Sequence, residues 1–178
     1  MIVVFAGRRI DDPSTKEVVF AIENIPVVRS RLQQFFMLHP VTALVCSAAS
    51  GADLLALDIA DSLGIQREII LPTNTSIFKQ TSVIDRPGPW ENLYKRLVET
   101  PDPLTRVLEL QLPAGELAYA QTTIAIVKQG LQKASLTKKQ IMGLVVWEGH
   151  EQAAPDYTAD FIKEARNHQI PVEYLLIA

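Results

Sequence analysis

A chain of 178 residues can bury the core of one α/β domain and is too short for two full ones. Apolar residues at 48% and charged residues at 21% exclude a disordered chain. The 17 basic and 20 acidic residues leave a net charge of −3, which argues against a duplex-DNA binder held by phosphate neutralisation.

In chain order, "IVVFA" (2–6) is a short β-branched run ending at Gly7, the pattern of a strand buried on both faces. "DDPSTKE" (11–17) is turn-rich. Helical spacing follows over 18–39, with Val28, Leu32, Phe35 and Phe36 on one face and Pro26 delaying the start. "VTALVCS" (41–47) predicts a second buried strand and "ADLLALDIADSL" (52–63) a helix closed by Gly64. "REIILP" (67–72) predicts a third strand, so short joints give β-α-β-α-β and a parallel sheet with right-handed crossovers.

Residues 73–103 are irregular: a short segment, then "RPGP" and a helix from Trp90 to Glu99. "LTRVLEL" (104–110) is a weaker strand. A long helix covers 114–134 despite its β-branched residues, then come a strand over 141–149, a helix from Pro155 to His168 and a last strand over 170–177. The expected fold is a single doubly wound, Rossmann-like α/β domain over 1–178 with a mostly parallel sheet.

Ligands of such sheets sit beyond the carboxyl ends of the strands. Three clusters fall there: "AGRRID" (6–11), "SAASGAD" (47–53) and "WEGHEQAAPDYT" (147–158). The second allows two readings of equal weight. Small residues at Ala48, Ser50 and Gly51 let a phosphate or ribose approach a helix N-terminus, with Ser47 and Ser50 donating hydroxyl bonds. Alternatively, Ser50 caps the helix, Asp53 complements its dipole, and the small residues pack helix on sheet. In either case the dipole is expected to hold the Asp53 carboxyl low. Arg8 and Arg9 can grip a phosphate bidentately or pair with Asp11 or Asp12. Trp90 and Tyr94, four apart, share a helical face that can stack on a base or join the core, and Tyr119 is similar. Cys46, the only cysteine, forms no intramolecular disulfide and lies in a buried strand. His39, His150 and His168 match no metal spacing.

These stretches carry a resemblance. "VVFAGRRID", "CSAASGADLLALDIADSLGIQREIILP", "FKQTSV" (78–83) and "WENLYKRL" (90–97) resemble SLOG, a Rossmann-like nucleotide-binding superfamily. Its name joins the DNA-processing protein Smf/DprA with the cytokinin-activating LOG enzymes. The resemblance implies a nucleotide pocket using Gly7 and Arg8 in the first loop and Ser47, Gly51, Ala52 and Asp53 in the second. Thr158 matches the threonine of a late Gly-Gly-Thr turn, whose two glycines are here Asp156 and Tyr157. The PGGxGTxxE motif of the LOG phosphoribohydrolases is absent, and Asp160 falls near its glutamate.

The leading expectation is a nucleotide-binding or sensing module, a piece of a bacterial signalling or defence system. The alternatives are an N-glycosidic hydrolase using Asp53, Glu148 or Asp160, and an interaction domain without a ligand. No cofactor, metal or membrane is expected, and no apolar run approaches the ~18 residues of a bilayer span. "MIVVFAG" is too short for a signal-peptide core, so the chain is expected in the cytoplasm. A nucleotide-type small molecule is the expected partner. Nucleic acid is not expected, given the net acidity, and a homo-oligomer is left open.

Overall fold

The computed structural model describes residues 1–178. Six strands form one sheet in the order β4-β3-β2-β1-β5-β6. They are β1 (Ile2–Gly7), β2 (Ala43–Cys46), β3 (Gln66–Leu71), β4 (Thr105–Glu109), β5 (Ile141–Trp147) and β6 (Val172–Leu176). Every pairing is parallel, with Val4 opposite Val45 on one side and Gly143 on the other. The expected mostly parallel sheet is thus wholly parallel, and the weak strand candidate is the edge strand β4.

Alternation along β1 explains the two layers. Val3 and Phe5 enter one core, Ile2 and Val4 the other. The first core holds Val28, Leu32, Phe35 and Phe36 of α1 (Ile25–Leu38) and Leu54 to Leu57 of α2 (Ala52–Ser62). The second holds Ile126 and Val127 of α5 (Glu116–Thr137) with Phe161, Ile162 and Ala165 of α6 (Tyr157–Asn167). Helices on both faces of a parallel sheet make a single doubly wound, Rossmann-like α/β fold. No helix is long and apolar enough to cross a membrane.

Pro26 stands in the first turn of α1, where its missing N–H is harmless, and Gly64 at φ +67° ends α2. The middle of the chain holds more order than its sequence shows. A helix α3 (Thr75–Ser82) starts where the Asn74 side chain accepts the Ile77 N–H at 2.9 Å. The expected helix over 90–99 is divided into α4 (Trp90–Tyr94) and a π-turn over Lys95–Glu99.

A candidate cleft at the strand-order reversal

Sheet order reverses at β1, which has β2 on one side and β5 on the other. Backbones diverge beyond these carboxyl ends and leave a crevice. The crevice is a cleft of about 310 Å³, at the small end of ligand pockets. Gly7, Arg8 and Arg9 line it after β1, and Ser47, Ala49 and Asp53 after β2. The far wall is Tyr119, Thr122, Thr123 and Ile126 of α5, with Pro155 to Thr158 entering α6; Phe78 and Ser82 come from α3.

Arg8 is not presented free to this cleft. Its Nε and Nη2 donate to the two carboxylate oxygens of Glu148 at 2.7 and 2.9 Å. Nη1 and Nη2 donate to Asp156 at 2.5 and 2.9 Å, and Nη2 also reaches the His150 carbonyl at 3.3 Å. Two bidentate pairs use almost all the donors a guanidinium has. These pairs outweigh the burial that opposes the charge, and the Arg8 pKa rises. Burial also acts against the Asp156 carboxylate, but Arg8 and the N–H groups of Ala159 and Gln152 hold it below its usual value. Asp156 is itself the N-cap of α6, so an internal carboxylate already occupies that helix's anion position. Arg9 pairs with Asp85 at 2.5 Å and donates to the Ser50 hydroxyl at 3.3 Å, while its buried Nε has no partner. Neither arginine pairs with Asp11 or Asp12. Asp11 instead accepts the N–H groups of Val19 and Phe20.

The small-residue loop packs more than it cradles. Gly51 has φ +105°, and a Cβ there would stand 2.7 Å from the Ile10 nitrogen and 2.8 Å from the Arg8 carbonyl. Close approach is required, but by the chain's own turn after β1. The Ser50 N–H donates to the Ser82 carbonyl, the Ala52 N–H to the Arg8 carbonyl, and the Ala49 N–H to Asp53 Oδ2. Ser50, Gly51 and Ala52 are buried behind the cleft rather than lining it. The N-cap is Gly51, so Ser50 does not cap α2.

Asp53 is 8% exposed and faces the cleft. Its Oδ2 takes the Ala49 N–H at 3.2 Å, and no group of the chain donates to Oδ1. Burial lifts its carboxyl to about 7, against the pull of that N–H and of the Arg9 charge. The expectation that the dipole holds it low is corrected, because desolvation outweighs a single helix end. Burial and the Asp53 charge also push the Cys46 thiol well above its ordinary value, which leaves it inert.

Of the expected ligand residues, Gly7, Arg8, Arg9, Ser47, Asp53 and Thr158 line one cleft. Glu148 stands behind Arg8. Asp160 is on the outward side of α6, 4.0 Å from Lys163, and away from the cleft. Trp90 and Tyr94 are fully buried core residues, donating to the carbonyls of Pro87 and Thr75.

Of the α5 wall only Tyr119 is marked in the sequence, while Thr122, Thr123 and Ile126 are not. Tyr119 OH lies 2.9 Å from the Ser82 hydroxyl, and its ring sits 5.4 Å from that of Tyr157. Thr122 and Thr123 donate to the helix carbonyls of Ala118 and Tyr119, leaving their lone pairs available as acceptors. For the threonines the available signal is a β-branched pair inside a helix, where branching has no local advantage.

No family model matches this sequence, and no curated protein does either. Among solved structures, DNA processing protein A (DprA) from Streptococcus pneumoniae is 11% identical with a TM-score of 0.45. That match covers 96% of this chain and 57% of the other. DprA from Helicobacter pylori is 11% identical with a TM-score of 0.41, over 97% of this chain and 74% of the other. The second structure describes that protein's single-stranded DNA binding mode. On that finding the expectation that nucleic acid is no partner is corrected. A net charge of −3 summed over a whole chain does not fix the charge of one groove. The Rossmann-type fold itself stands on the parallel sheet and its reversal at β1.

Proposed function

We propose that this chain is a binding module for a nucleotide or nucleotide derivative, seated in the cleft between β1 and β5. The observation that supports it most is the composition of that cleft. Aromatic and apolar groups of Phe78, Tyr119, Tyr157 and Ile126 share the lining with hydroxyls and the one unpaired carboxylate, Asp53. A flat heteroaromatic ring carrying a polyhydroxylated sugar needs both kinds of wall. Calorimetry with nucleosides, nucleotides and a short single-stranded oligonucleotide tests this. Saturable heat from at least one is expected. Tyr119→Ala should weaken it tenfold or more, since stacking on an aromatic ring contributes ~1–3 kcal/mol per base. Absence of heat from every compound would overturn the proposal.

One observation favours a second reading, an N-glycosidic hydrolase. A carboxyl poised at about 7 can give a proton to a leaving base or take one from water. Water would add across the glycosidic bond, its hydroxyl going to the sugar carbon and its proton to the base. Release of free base from AMP, CMP or NAD, abolished in Asp53→Asn, would make the protein an enzyme.

A further inference from the structure

Both helix starts on the cleft wall, where an anion would sit, already hold a carboxylate. Asp156 caps α6 and Asp53 lies in the first turn of α2. Of the cleft's two cations, Arg8 is committed to Glu148 and Asp156, and Arg9 is held by Asp85 through Nη2, its Nε alone left without a partner. Arg86 also pairs with Asp85, so three guanidiniums balance Glu148, Asp156 and Asp85, and ionised Asp53 leaves one net negative charge. That charge acts on whatever enters, and salt, which reaches the open side of the cleft, screens it in part.

From this we infer that the cleft accepts a nucleoside and excludes its phosphate: the ligand class is an uncharged nucleoside, with Asp53 Oδ1 accepting a sugar or base hydrogen. The inference rests on the binding proposal above and narrows it. Three features fit an uncharged ligand. Asp53 is more than nine-tenths buried yet has an oxygen with no donor. Thr122 and Thr123 offer acceptors to hydroxyl or amino hydrogens. Three loop N–H groups, those of Ala49, Ser50 and Ala52, are taken by Asp53, Ser82 and Arg8.

The experiment is calorimetry at pH 8 with adenosine, guanosine, cytidine and uridine, each against its 5′-monophosphate. At least one nucleoside should saturate the protein, and its monophosphate should bind tenfold or more weakly. Glu148→Gln removes one negative charge while keeping an acceptor on Arg8, and should narrow that gap threefold or more. Raising salt from low to high concentration on the wild-type protein should narrow it in the same direction, which serves if the variant does not fold. A monophosphate that binds as tightly as its nucleoside overturns the inference and leaves the binding proposal standing. A gap indifferent to both salt and Glu148→Gln also overturns it, since the exclusion would then be steric. If no compound binds, both fall.

Discussion

Asp53 and Asp156 are two aspartates in matching places, each buried at the start of a helix that follows a strand and each on the wall of one cleft. Their chemistry is opposite. Asp156 receives two guanidinium nitrogens and two backbone N–H groups and is held below its usual pKa. Asp53 receives one backbone N–H and is lifted to about 7. A helix N-terminus is therefore not enough to keep a buried carboxylate ionised; a cation in direct contact decides the sign.

The largest expected effect comes from removing that cation. Arg8→Ala leaves Glu148 and Asp156 as neighbouring carboxylates without a counter-charge, and should lower unfolding free energy by ~3–5 kcal/mol. Urea denaturation at pH 7 measures this. In the wild type, the contribution of Asp156 is present above the usual Asp value of ~3.9 and is lost as pH falls through its lower folded value. The penalty in Arg8→Ala should accordingly shrink on acidification. A variant as stable as the wild type would show that the clamp is ornamental.

A smaller effect of opposite sign belongs to Asp53. Its folded pKa lies above the unfolded one, so its contribution is fully present below pH ~4 and disappears as pH rises through about 7. Asp53→Asn should be as stable as the wild type near pH 4 and more stable by ~2–4 kcal/mol at pH 8. Denaturation midpoints across that range read it directly, and parallel curves would refute the shift. The smallest effect is at Asp160, an exposed carboxylate one turn along the helix that Asp156 caps. Asp160→Asn should change stability by no more than ~0.5 kcal/mol.

The sequence shows the sheet plainly, because strands buried on both faces read as unbroken apolar runs and short joints leave little freedom in topology. It shows α3 poorly. Only Asn74 and Phe78 mark that helix, and its exposed residues dilute the period. The cleft was legible in its near half, since the ends of β1 and β2 carry visible clusters. Its far wall comes from the first two turns of α5, where Tyr119 shows only as an aromatic that suits core or site alike, and Thr122 and Thr123 have no local pattern that announces a site. The Arg8 clamp joins residues 140 and 148 positions apart. Nothing in "AGRRID" distinguishes a guanidinium held by two carboxylates from one waiting for a ligand, because the partners are decided by strand order. The same holds for Gly51, which reads as a ligand-facing glycine until the turn after β1 is folded onto it.

The double ion pair at Arg8 also ties the turn after β1 to the turn after β5, two walls of the cleft that no covalent link joins. Moving them apart would separate charges that are largely out of water, so the opening keeps its width before anything enters. A guest of the kind proposed would meet a preformed mould and lose little of its binding free energy to ordering loops. Free and occupied forms should superpose to within ~1 Å over these turns.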